Sequence, residues 1–192
     1  MKPVYRDVRT AIARIMSIEA NDGTAKAPWQ RRYQAPGSEG AQMLDDQESL
    51  SPEERMAQDS MARGVAHRVL PPEQWHALVA KYSINDSEVG ESVRWLIPRV
   101  VSPAHHLFKT KCVFAWAHPQ KAGTEGAKTS RYAAPGSFYD VSTWDSSGTP
   151  DRTLRRWRKV TELWLNDRVN HGHQTLDVAF TAAGLMFRGD VA

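Results

Sequence analysis

The chain has 192 residues, 41% of them hydrophobic, with 25 Lys and Arg against 22 Asp and Glu for a net charge of +3. That is enough apolar mass for one sizeable core or two small ones, and it predicts one or two soluble domains. No apolar run approaches the roughly 18 residues a membrane span needs, so no membrane partner is expected. The single cysteine, Cys112, excludes an internal disulfide and any multi-cysteine zinc site, and it fits a reducing cytoplasm as the expected location.

The net charge says little, but its distribution along the chain is polarised. Residues 35–60 hold seven acids (Glu39, Asp45, Asp46, Glu48, Glu53, Glu54, Asp59) against one base, Arg55, whereas residues 94–131 hold seven bases and one acid, Glu125. Such asymmetry points to a basic surface for nucleic acid and an acidic one for a basic partner or for self-shielding.

In chain order, MKPVYRDVRTAIARI reads as an amphipathic helix. Pro3 sits at a first helical position, and Val4, Val8, Ile12 and Ile15 recur at helical spacing as far as Ser17, without the unbroken apolar centre of a signal peptide. Residues 1–20 are therefore an N-terminal helix. Residues 21–50 shift to Gly, Pro, Ser, Gln and acids with no period of either kind, which predicts a long loop or linker. Within it Trp29, Arg31, Arg32 and Tyr33 form a candidate docking element, the alternative being a solvated linker with a few anchoring aromatics.

Residues 51–122 predict a helical core block. In SPEER, Ser51 caps the backbone, Pro52 presets the first turn and Glu54 closes a capping box. LPPEQWHALVAKYS places Trp75, Leu78, Val79 and Tyr82 on one helical face, and the helix over residues 87–97 ends at Pro98. In SPAHHLFKTKCVFAWAHP, Ser102 is expected as cap and Pro103 as first residue of a helix carrying Leu107, Phe108, Cys112, Phe114 and Trp116. A Gly, Pro, Ser and Thr rich stretch over residues 119–137 opens the last block, residues 123–192. With no alternating strand, internal repeat or low-complexity tract, the expected class is mainly α.

The segment TPDRTLRRWRKV packs five basic residues into the eight positions from Arg152 to Lys159. Thr149 as cap and Pro150 as first residue would start a helix with an apolar stripe of Leu154, Trp157, Thr161, Trp164 and Leu165. At 100° per residue, Arg152, Arg155, Arg156 and Lys159 then fall on the opposite side. A solvated face normally mixes in acids for ion pairs, and none is read on this face before Glu162. The preceding FYDVSTWDSSG reads as a short helix and a Gly-containing turn, which together give the layout of a helix-turn-helix. In that motif the N-terminal part of the second helix enters the major groove, where Arg pairs with guanine while Thr and Lys hold phosphates. Arg152, Thr153, Arg155, Arg156 and Lys159 are therefore the candidate DNA-binding residues, with Lys109, Lys111 and His105 as candidate contacts to a nucleic-acid backbone. A further helix is expected over residues 174–186.

The segments LPPEQWHALVAKYS, VVSPAHHLFKTKCVFAWA and TLRRWRKVTELWL resemble the Q-type transcription antiterminators of bacteriophages and prophages, including the AlpA-type bacterial regulators. The resemblance implies a protein that binds a double-stranded DNA element near a promoter and loads onto paused RNA polymerase carrying a sigma factor. It would then travel near the nascent RNA exit, obstructing terminator hairpins. One family member has a cysteine zinc site, which a chain with only Cys112 departs from.

Other chemistry is sparse in the sequence. His105, His106 and His118, or His171 and His173, lack a carboxylate or second cysteine at metal-site spacing, and Cys112 in CVFAW reads as core. No phosphate-cradling Gly-rich loop, nucleophile elbow or paired-acid motif occurs, so neither an enzyme nor any cofactor or metal is expected. A helix-turn-helix regulator acting only at transcription initiation is the alternative, and a small DNA-processing enzyme ranks third.

Overall fold

A computed structural model describes residues 4–18, 51–119 and 134–187. Six α-helices lie in these stretches: α1 Val8–Met16, α2 Pro52–Val69, α3 Pro72–Tyr82, α4 Asp86–Leu96, α5 His106–Ala117 and α6 Asp151–Ala182. Two one-turn 3-10 helices, Gly136–Tyr139 and Val141–Trp144, precede α6. The fold is mainly α, as the periodicities require. Among the described residues the nearest approach to a sheet is a lone parallel bridge between Tyr5 and Met186.

The capping box of α2 forms as its sequence dictates: the Glu54 amide donates to Ser51 Oγ, and the Ser51 amide donates back to Glu54 Oε2 at 2.8 Å. Other boundaries differ from expectation. The first helix begins at Val8, where the Asp7 carboxylate accepts the Thr10 amide, and Val4 and Tyr5 instead donate to the Leu185 carbonyl. Residues 4 and 5 thus continue the apolar period of α1 without joining it. Likewise α5 starts at His106, because Ser102 Oγ is taken by the Ala104 amide and by Thr161 Oγ1 of α6.

The largest difference is α6, a single rod of 32 residues, about 48 Å long at 1.5 Å per residue. No separate helix starts near Gln174. Its buried positions Leu165, Val169, Gly172, Leu176 and Phe180 repeat every three or four residues straight through His171 and Gly172. Gly172, a weak helix former, is there for space: a Cβ at that position would come within 2.9 Å of Leu78 Cδ1 on α3. The helix stops at Gly184, whose positive φ of 67° suits glycine. Leu185 then donates to the Phe180 carbonyl and Gly184 to that of Thr181, the Schellman arrangement.

The main core gathers α1, the buried face of α2, both central helices α3 and α4, and the C-terminal half of α6. Trp75, Tyr82, Trp95 and Trp164 pack against it, and Trp116 lies within it. A smaller cluster of Ala104, Phe108, Cys112, Ala115, Trp144 and Leu154 joins α5 to the start of α6. One helix therefore runs through both. No helix among the described residues is long and apolar enough to cross a membrane.

A buried carboxylate ties the N-terminal segment and α1 to α2. Asp59 on α2 accepts the Tyr5 hydroxyl at 2.6 Å and pairs with Arg14 of α1 at 2.9 Å, while the fully buried Tyr5 ring stacks on Phe180 of α6. Burial first, and then the bond to Asp59, push the Tyr5 phenol well above its ordinary range, so it stays a donor throughout the accessible pH range. Tyr5→Phe keeps the stacking and removes one hydrogen bond to a charged acceptor. It should lower stability by about 1.5–3 kcal/mol, read as a lower urea midpoint at unchanged m-value.

Candidate nucleic-acid interface

α6 carries the candidate surface because its buried stripe fixes its rotation. Leu154, Thr161 and Leu165 are buried against α5 and the core, which turns Arg152, Arg155, Arg156 and Lys159 to the exposed side. Thr153 is half-buried at the edge of the stripe. Arg155 is not left without an acid, as the sequence pattern suggested: Asp151 in the first turn pairs with it at 2.8 Å, both side chains more than half exposed. An exposed i,i+4 pair of this kind is worth only about 0.3–0.5 kcal/mol, little against a phosphate or guanine competing for the same guanidinium. Arg152, Arg156 and Lys159 have no ion pair among the described residues. The fifth base, Arg158, turns away; it pairs with Glu162 at 2.7 Å and lies over the Trp144 ring.

The segment ahead of α6, read from sequence as the short helix of a helix-turn-helix, is not an α-helix. It is made of two 3-10 turns, followed by a turn at Gly148 with φ +71°. These turns are held closely. Trp144 is buried against Phe108, its ring edge-on at 5.3 Å, and its indole N–H donates to the Phe138 carbonyl. The Tyr139 hydroxyl donates to the His118 carbonyl at 2.7 Å.

Two of the three residues proposed from sequence as backbone contacts are occupied by protein. Lys111 Nζ donates to the Thr143 carbonyl at 2.8 Å, and His105 Nε2 lies 2.9 Å from Asp145 Oδ1. Both clamp the 3-10 segment onto α5. Lys109, half-buried on the same helix, makes no ion pair among the described residues. The docking candidates Trp29, Arg31, Arg32 and Tyr33 lie outside the described residues.

Asp145 is the residue the sequence reading passed over. Its side chain is only 2% exposed, and its second oxygen, Oδ2, accepts the amides of Ser147 and Thr149 at 3.1 and 3.0 Å. α6 has no side-chain cap of its own; Pro150 stands at the cap position and Thr149 does not fill it. An Asp four residues ahead of a Thr-Pro pair is the only sequence signal for this role.

Burial pushes the Cys112 thiol up to about 12, far from the thiolate a nucleophile needs. No cluster of three His, Cys, Asp or Glu side chains suited to a metal ion occurs among the described residues. Compared with known proteins, the chain matches no family model, no curated protein and no solved structure.

The Thr149 amide, foremost among its partners, holds the Asp145 carboxyl below the ordinary carboxylate range. A depressed folded-state value means that this contribution to stability is complete above about pH 4, and it is lost as pH falls through the depressed value. The stability gap between wild type and Asp145→Ala should therefore be constant near neutrality and close progressively as the pH is lowered below about 4, as followed by urea denaturation at a series of pH values.

Proposed function

We propose that this protein is a sequence-specific DNA-binding transcription factor whose reading element is the first three turns of α6. The observation that carries the proposal is the exposed stripe of Arg152, Arg155, Arg156 and Lys159. It lies on the face opposite Leu154, Thr161 and Leu165, at the start of a helix whose entry turn is pinned by buried contacts. Bases on one face of a rigid helix N-terminus suit a major groove. The arginines supply bidentate contacts to guanine O6 and N7, while Lys159 and Thr153 reach phosphates.

Within that class, we favour an antitermination factor that loads at a promoter-proximal DNA element onto paused RNA polymerase with its sigma factor. The support is the resemblance of the segments around residues 70–83, 100–117 and 153–165 to Q-type antiterminators. The deciding experiment is single-round transcription by sigma-containing RNA polymerase through an intrinsic terminator, on templates with and without the native promoter-flanking DNA. Read-through that requires the flanking DNA supports antitermination. Altered initiation with unchanged termination assigns the protein to the regulators of initiation instead.

The DNA surface has its own test. Arg155→Ala or Arg156→Ala should weaken specific binding by about 1–3 kcal/mol if the side chain pairs with a base. Lys159→Ala should weaken specific and non-specific binding together and reduce the slope of log affinity against log salt by about one. Gel-shift titrations at several fixed salt concentrations separate these outcomes; unchanged affinity in both arginine variants would remove Arg155 and Arg156 from the DNA site.

A further inference from the structure

His105 joins the starts of two helices. Its Nδ1 accepts the Phe108 amide at 3.3 Å as the cap of α5, while its Nε2 faces Asp145 Oδ1 at 2.9 Å. An imidazole nitrogen that accepts is unprotonated, so the ring proton sits on Nε2 and is donated to the carboxylate. Oδ2 of the same carboxylate takes the Thr149 amide, one residue before the cap position of α6. The continuous path is thus Phe108 amide, imidazole, carboxylate, Thr149 amide, and it links the first turn of α5 to the entrance of α6. Around the imidazole stand the Phe108 and Trp157 rings, each edge-on at a centroid distance of 6.1 Å, which hold its plane.

From this geometry we infer that His105 and Asp145 are a positioning pair that sets the DNA-facing turns of α6 against α5. The inference rests on the DNA-binding reading of α6, and it gives His105 a role other than contact with a nucleic-acid backbone. With no cap of its own, α6 begins where Asp145 holds Thr149. Base contacts of the kind proposed for Arg152, Arg155 and Arg156 require placement within about 0.5 Å. A loosened entrance would spread the arginines over several positions, at a cost to specific binding greater than to overall stability.

The test is His105→Asn. Asparagine is among the best N-cap residues, so the variant retains a cap for α5, but its side chain is too short to reach Asp145. The readouts are thermal midpoint, amide hydrogen exchange at Thr149 and DNA affinity by gel shift. The inference expects a thermal midpoint close to wild type, faster exchange at Thr149 and a roughly three- to tenfold loss of specific affinity. Combining His105→Asn with Asp145→Asn should weaken binding no further than the worse single variant, because both break the same link. Unchanged exchange at Thr149 overturns the pair itself. Faster exchange with unchanged affinity overturns its part in recognition. A wild-type chain without specific DNA affinity fails the DNA reading, and with it the recognition role, independently of the exchange result.

Discussion

The fold depends on one buried carboxylate. Asp59 accepts the Tyr5 hydroxyl and the Arg14 guanidinium, so an edge of the N-terminal segment, α1 and α2 converge on two oxygen atoms. A buried ion is costly unless its lone pairs are satisfied, and here one cation and one phenol satisfy them. Tyr5 in turn stacks on Phe180 and bridges Met186, which fixes the far end of α6. The helix that carries the arginines is therefore anchored about 30–40 Å away from them as well as along its buried stripe.

Local chemistry was legible in the sequence wherever it closed on itself. The Ser51 and Glu54 capping box, the apolar faces of α3 and the exposed side of α6 needed only spacing, because each is set within a few residues. Helix starts that depended on distant partners were not legible. Ser102 looks like a cap until Thr161, 59 residues later, occupies its hydroxyl. Val4 keeps the period of α1 although its amide goes to Leu185. A separate helix is read from residue 174 although α6 runs straight through it, and the reason for Gly172 within it, the close approach of Leu78, lies on another helix.

The candidate surface divides in the same way. Which bases face outward follows from a hundred degrees per residue. That Arg158 is drawn aside by Glu162 and Trp144 depends on a tryptophan whose burial only the tertiary fold creates. His105 and Lys111 read as free backbone contacts in a basic segment, yet each is engaged with the turns before α6. Positive charge in a sequence marks where a cation is, not whether it is available.

The uninterrupted course of α6 through both clusters makes it a shaft with a fixed phase. Leu154 is seated in one cluster and Leu165, Val169 and Leu176 in the other, so the number of residues between them sets the direction in which the arginines look. One residue added or removed there would rotate one end by about 100° relative to the other, swinging the basic stripe toward the protein or unseating Leu154. Side-chain changes along the exposed face leave that phase intact. Between residues 154 and 165 the chain can vary in composition far more freely than in length.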